Sequence, residues 1–338
     1  MIDTSWLKIS KPGLYIIPAY AHIDPVGVVD TAIITHGHAD HARAGHGHVI
    51  ATPETLEIMS VRYGASFAGQ QTALPYNQKL MLGDISVKLI PAGHVLGSAQ
   101  IVLEYANTKI IAAGDYKRRS DPTCRPFQVE QCDVFITEAT FGLPIFAHPE
   151  PKTQIEKLLE VQHLFPERSI IIGAYSLGKA QRLIALLREA GYDETIFIHG
   201  AMEKLCELYV SFGIELGSLQ KTPIGKIDNQ QISLANKFIL APPSAMGTKW
   251  AQRLSDPLVV SASGWMQVRQ RAKQGGVELP LVISDHADWN DILRTIKEVN
   301  ASEIWVTHGR EDALIHACHQ MGLSAKALSL IGYEDESE

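Results

Sequence analysis

The sequence predicts an α/β protein in two parts, and three observations carry that expectation. The first 140 residues hold short runs dense in Val and Ile, broken by Gly, Pro, Asn and Asp, which is the pattern of strands. From about 150 to 260 such runs alternate with helical stretches, which predicts parallel βαβ units with helices on both faces. Residues that can bind metal or move protons fall directly after five separate strand-like runs, where αβ architectures gather their active sites.

In order, strands are predicted at Leu14–Ile17, Val28–Thr35, Ile85–Ile90, Gln100–Tyr105, Lys109–Ala113 and Val134–Thr137. A helix is predicted over 53–63, and a hairpin turns around Ala106-Asn107-Thr108. Beyond Pro144, helices over 153–164, 178–190, 201–212 and 246–254 interleave with strands Ile170–Gly173, Thr195–Ile198, Lys237–Leu240 and Leu258–Val260. The chain then reads strand Leu281–Ser284, helix 289–299, strand Glu303–Thr307, helix 311–321 and strand Lys326–Leu330, followed by an acidic tail, Glu334–Glu338, expected to fray.

With 338 residues, 46% of them hydrophobic and 20% charged, the chain can bury a sizeable core. Its net charge of −7 means that a nucleic-acid partner needs a local basic groove, because the overall field repels phosphate. The four cysteines, Cys124, Cys132, Cys206 and Cys318, form no C-x-x-C pair and read as reduced thiols of an intracellular protein. Met1–Lys8 lacks the basic-then-apolar order of a secretory signal, and no apolar stretch is long enough to span a bilayer. The expectation is a soluble cytoplasmic protein with no membrane partner.

His36-Gly37-His38-Ala39-Asp40-His41 follows the Val28–Thr35 run, so three imidazoles and a carboxylate stand where a strand gives way to a loop. Nitrogen and oxygen ligands without thiolate suit zinc, manganese or iron. One short turn carrying all four can aim them at two adjacent metals, and two metals about 3.5–4 Å apart can clamp the attacking and leaving oxygens of a hydrolysis. The later strand-end residues are His94, Asp115, Glu138, His286 and His308.

This ordered set resembles the metallo-β-lactamase superfamily, in which an H-x-H-x-D-H motif is followed by a single His and then a bridging Asp. Glu138 in Thr137-Glu138-Ala139-Thr140-Phe141-Gly142, His286 and His308 resemble the three motifs of the β-CASP nucleases, and Tyr175–Gln181 resembles the G-[RK]-x-Q helix start of their inserted cap. Across residues 10–332 the chain is most similar to the bacterial ligase-associated DNA exonucleases of that group, through stretches such as His94–Gln100, Gly114–Arg118 and Phe141–Pro144. The DNA cross-link-repair members carry Val at the third motif and the RNA-cleaving members carry His. His308 is of the second kind, which keeps an RNA nuclease or RNA 3′-end processing enzyme as the alternative.

The resemblance implies a four-layer αβ/βα metallo-β-lactamase domain from residues 1–144 and 277–338, with a β-CASP cap inserted at 145–276. It implies two divalent metal ions, Zn2+ first and Mn2+ as the alternative. One is held by His36, His38 and His94, the other by Asp40, His41 and His308, with Asp115 bridging. A water activated between them attacks a phosphodiester, Asp40 also orients that water, and His286, held by Glu138, protonates the leaving oxygen. Asp30 is the expected carboxylate behind a ligand histidine. Lys117-Arg118-Arg119 are read as phosphate contacts or, equally, as a solvated turn, and Ser98, Ser176, Gly178 and Lys179 as phosphate contacts on the cap side. The implied activity is exonucleolytic trimming of DNA ends in repair, with a DNA ligase and a helicase as partners by family association.

Overall fold

Successive side chains of a strand point to opposite faces, so a sheet covered on both sides must be apolar on both. The computed structural model describes residues 2–223 and 234–328, and strands such as Ile170–Gly173 and Phe238–Ala241, buried along their whole length, have that character. The chain divides into two compact units, Met1–Ala147 with the chain from His286, and His148–Asp285.

The first unit begins with β1 (Leu7–Ser10), β2 (Gly13–Ile16), β3 (Ala21–Ile23), β4 (Thr31–Ile33), β5 (His48–Ala51), α1 (Pro53–Tyr63) and β6 (Gln70–Ala73). These six strands form one sheet in chain order, antiparallel up to β3 and parallel from β3 to β6. Next come β7 (Lys79–Leu82), β8 (Ile85–Pro91), β9 (Ala99–Tyr105), β10 (Thr108–Ala112) and β11 (Val134–Ala139).

The second unit runs through α2 (Pro151–Leu164), β12 (Ile170–Gly173), α3 (Lys179–Glu189), β13 (Ile196–Ile198), α4 (Glu203–Ser211), β14 (Leu219–Lys221), β15 (Phe238–Ala241), α5 (Pro243–Met246), β16 (Leu258–Ala262), α6 (Arg269–Gln274) and β17 (Leu279–Leu281). Its sheet has the order β14-β13-β15-β12-β16-β17, and every pairing is parallel. The chain then returns to the first unit through α7 (Trp289–Val299), β18 (Glu303–Gly309), α8 (Glu311–Gln320) and β19 (Ser324–Ala327). β18 and β19 complete a seven-stranded sheet, β19-β18-β11-β10-β9-β8-β7, parallel from β10 to β19.

Alternation explains the packing of the first unit. Val87, Leu89, Ile101, Leu103, Ile110 and Trp305 meet Leu14, Ile16, Ile33 and Ile50 of the six-stranded sheet in one core. Their neighbours Ile90, Val102, Ile111, Phe135, Ile304 and Val306 face the other way, onto Ile292, Ile296 and Leu314 of α7 and α8. The outer face of the six-stranded sheet, Ala32, Ile34, Val49 and Ala51, packs on Leu56 and Met59 of α1. α7 shows why these helices form here. Asp288 caps it by accepting from the Asp291 N–H at 2.9 Å, Ile292, Thr295, Ile296 and Val299 bury one stripe, and Asn300 ends it in the left-handed region.

Four expectations shift. The helix over 246–254 is instead α5, begun by Pro243 and ended at Gly247, followed by a separate turn at Ala251–Arg253. The strand expected at Leu281–Ser284 is β17, ending at Leu281, because Val282 gives its N–H to the Gln154 side chain and leaves the ladder. That strand pairs with β16, so the border between the units falls at His286 rather than near 277. The last strand is β19, and the tail Glu334–Glu338 lies outside the described residues. Among the described residues no helix is long and apolar enough to cross a membrane.

Candidate metal centre

Two loops carrying histidines are pinned to the same helix. Gly37 stands against α1 so closely that a Cβ there would lie 2.5 Å from the Ile58 Cγ2, and its carbonyl accepts from the Arg62 guanidinium at 2.7 Å. Gly97, in the left-handed region at φ 79°, lies against Thr52 and Glu54, and its carbonyl accepts from the hydroxyls of Thr52 and Thr55. The first contact fixes His36 and His38 and the second fixes His94. Gly114, at φ 58°, packs on Thr35 and delivers Asp115, while Glu138 and His308 are the next-to-last residues of β11 and β18.

The donors converge. His38 Nδ1 lies 3.2 Å from His36 Nε2 and 3.1 Å from His94 Nε2, and Asp115 Oδ2 lies 3.4 Å from His36 Nε2. These separations match the edge of a tetrahedron around a metal with bonds of about 2.0–2.1 Å, which is about 3.3 Å. A second group shares the same aspartate: His41 Nε2 is 3.5 Å from Asp115 Oδ2, and His308 Nδ1 is 3.8 Å from Asp115 Oδ1. Each set of ligand atoms, His36/His38/His94/Asp115 and His41/Asp115/His308, lies within 4.8 Å and could hold a metal ion. Asp40 sits at the rim, about a quarter exposed, with its carboxylate 3.4 Å from His41 Nε2, and is in neither convergent set.

The ring orientations follow from hydrogen bonds. Asp24 accepts from the Thr35 N–H at 2.7 Å, the Thr35 hydroxyl at 2.5 Å and His41 Nδ1 at 2.8 Å. Since the Thr35 hydroxyl donates to Asp24, it accepts from His36 Nδ1, 3.0 Å away. Both histidines are thereby turned so that Nε2 faces the cluster. Burial, and then the adjacent His41, push His36 well below the ordinary histidine range. Burial alone would depress His41, but Asp115 and Asp24 outweigh it and hold His41 well above that range. Asp115, which burial would raise, is held well below the carboxylate range by His41 and His308.

Glu138 accepts the Tyr116 N–H at 2.8 Å and pairs with His286 Nδ1 at 2.9 Å. The His286 ring lies 4.7 Å, centroid to centroid, from that of His94. Asp115, Glu138 and His286 form a third convergent set, so the pair stands beside the candidate metal ligands.

Several expected residues do otherwise. Asp30 is exposed, and its backbone carbonyl accepts from His48; the carboxylate behind the histidines is Asp24. The signal for it was present, since Asp24 ends β3 as the other acidic groups end their strands. Ser98 is buried, and its hydroxyl accepts the N–H groups of His94 and Val95, so it shapes the His94 turn. Lys117 is buried against Asp121, and Arg118 bonds Thr295 and Glu298. Lys179 is 1% exposed, with its ammonium 3.3 Å from Asp285, and the Gly178 N–H is taken by the Gln181 side chain at 2.8 Å. Ser176 is half-buried and its carbonyl accepts from Gln181.

An α/β fold with buried His/Asp sets that could hold metal defines a metallohydrolase-type centre. No protein-family model matches the chain. It is 26% identical over 301 residues to a protein of Opitutus terrae named a probable DNA ligase, which covers 88% of this chain and 28% of that one. It is also 26% identical to an RNase J-like protein of Methanocaldococcus jannaschii, over 83% of this chain and 82% of the other, and 29% identical over 52% of its length to the endoribonuclease ysh-1 of Neurospora crassa, 25% of which is matched. The chain thus spans about a quarter of the Opitutus and Neurospora proteins. A crystal structure of a protein of unknown function from Enterococcus faecalis shares the fold, with a TM-score of 0.59 over 90% of this chain and 80% of the other at 14% identity. These relatives fit the resemblance to the β-CASP group of the metallo-β-lactamase superfamily, and the Opitutus match fits its ligase-associated branch.

Proposed function

We propose that the chain is a metal-dependent phosphodiesterase that trims DNA ends in repair as an exonuclease. The observation that carries this reading is the sharing of Asp115 by two convergent donor sets, with the Glu138–His286 pair beside them. We assign the first ion to His36, His38, His94 and Asp115 and the second to Asp115, His41 and His308, with Zn2+ the first choice and Mn2+ the second. Asp40, at the rim, is assigned to orient the attacking water. Bound there, two cations supply a water ionised near neutral pH and a positive clamp for the phosphodiester.

The protein's own groups do the rest. Asp24, through His41 and Thr35, fixes the imidazoles that meet the metals. Glu138 occupies His286 Nδ1, so the proton given to the leaving sugar oxygen is carried at Nε2. Residues 1–144 and the C-terminal stretch are read as a four-layer metallo-β-lactamase domain, and the parallel-sheet unit as its β-CASP cap. A cytoplasmic setting and a DNA ligase and helicase as partners accompany this reading, the ligase through the name of the Opitutus relative.

His308 and the names of the archaeal and fungal relatives favour an RNA nuclease as the second reading. End-labelled DNA and RNA, single- and double-stranded, digested in parallel with Zn2+ or Mn2+ separate the two. DNA should be shortened from its ends, and His38→Ala should abolish cutting. RNA shortened with DNA intact would replace the DNA reading with the RNA one, and a fully active His38→Ala protein would overturn the two-metal site.

A further inference from the structure

A chain of net charge −7 needs local positive surface to hold a phosphate backbone. Several of its cations are engaged with carboxylates, as Lys88 and Lys109 are with Glu130 and Arg168 is with Glu278. The segment around α6 differs. From Leu258 to Val277 the sequence contains no Asp or Glu. Arg269, Arg271 and Lys273 are all exposed, and among the described residues no carboxylate lies within 4 Å of any of the three. The Arg271 guanidinium lies over the Trp265 ring, 4.1 Å from its centroid.

Topology gives this cluster its place. All pairings in the sheet of the second unit are parallel, so the carboxyl ends of its strands share one edge, where ligands bind in such sheets. β16 ends at Ala262, and Ser263 caps the turn that carries Trp265 by accepting from its N–H at 3.1 Å. α6 follows directly. Its neighbour β12 ends at the same edge and leads to Ser176.

We propose that α6 and Trp265 form a binding surface for single-stranded nucleic acid, a reading that rests on the nuclease function above. Arg269 and Lys273, one turn apart on one face of α6, take backbone phosphates, while Arg271, turned to the Trp265 side, takes a phosphate there and with Trp265 supplies a platform for a base. Charge complementarity selects this occupant, since an unneutralised basic stretch in an acidic chain attracts a polyanion. The stack accounts for a preference for single strands, whose bases are open to it.

The test is fluorescence anisotropy of a fluorescein-labelled phosphorothioate oligothymidylate, which resists cutting, titrated with the protein as isolated at several salt concentrations. Arg271→Glu with Lys273→Glu should weaken binding at least about tenfold and lower the slope of log affinity against log salt by about 1.4, the value for two lost phosphates on a single strand. Lys152→Glu with Lys157→Glu, an equal charge change on exposed positions of α2, should leave affinity near wild type. An unchanged melting temperature shows that the α6 protein is folded, and Trp265→Leu should remove part of the quenching of tryptophan emission on binding. Wild-type affinity and salt slope in the α6 protein, or equal weakening in the α2 control, would overturn the proposal. Hydrolysis of bis-p-nitrophenyl phosphate by the metal-loaded wild type reports the nuclease reading by itself. Its absence would overturn that reading while the anisotropy still decides the role of α6.

Discussion

Two basic stretches of this chain, Lys117-Arg118-Arg119 and Arg269–Lys273, look alike in sequence and differ in structure. The first follows Asp115 and is consumed by its own unit: Lys117 by Asp121, Arg118 by Thr295 and Glu298 with its guanidinium over Phe127, and Arg119 by Asp288. The second lies exposed with no carboxylate near it among the described residues. The first ties the Asp115 loop to α7; only the second has charge to offer outside the fold. A run of cations in sequence therefore says nothing about binding until the acids that face it are known.

The contrast can be broken by measurement. Lys117→Met leaves Asp121 buried without its cation and should cost about 3–5 kcal/mol in urea unfolding. A loss below ~1 kcal/mol would return Lys117 to the solvated class. Arg118→Ala should cost about 1 kcal/mol, chiefly through lost packing on Phe127, because its ion-pair partner Glu298 is exposed and screened.

The smallest effect concerns Asp291, which faces Arg119. Burial and the nearby Asp288 push it above the ordinary carboxylate range, against the pull of Arg119 and Arg294. The native state therefore holds that proton more tightly than the unfolded chain. The stability this brings is complete below the ordinary aspartate value and is lost as pH rises through the raised one. At neutral pH the ionised group is a small burden, so Asp291→Asn should be more stable than wild type by ~0.5 kcal/mol at pH 7 and equal to it near pH 3. Lower stability at pH 7 would show that Arg119 wins.

Much of the centre was legible because metal ligands must be of few chemical types and because strands deliver them at their ends. His36, His38, His41, His94, Asp115 and His308 converge. Asp24 was missed in favour of Asp30, since both are acids near a strand and only the fold shows which one is buried beside Thr35 and His41. Lys179 and Ser98 illustrate a related ambiguity: a residue type that can hold phosphate can equally satisfy its own backbone or a buried acid. In the fold, the core strands β8 to β11 were readable as short apolar runs rich in Val and Ile. β1, β6 and β7 escaped notice because they are short and partly exposed, and α6 because it has six residues and no apolar stripe.

The end of β18 carries a further consequence. His308 has φ 58° and Gly309 φ 96°, and a Cβ on Gly309 would lie 2.2 Å from the Ala139 carbonyl. Two successive left-handed residues are tolerable here because one is glycine and the other is histidine, a type enriched in that region; a β-branched residue is a steric outlier there. Exchanging His308 for valine thus changes more than a side chain. The backbone of this turn disfavours valine, so that exchange requires the loop to be rebuilt along with the side chain.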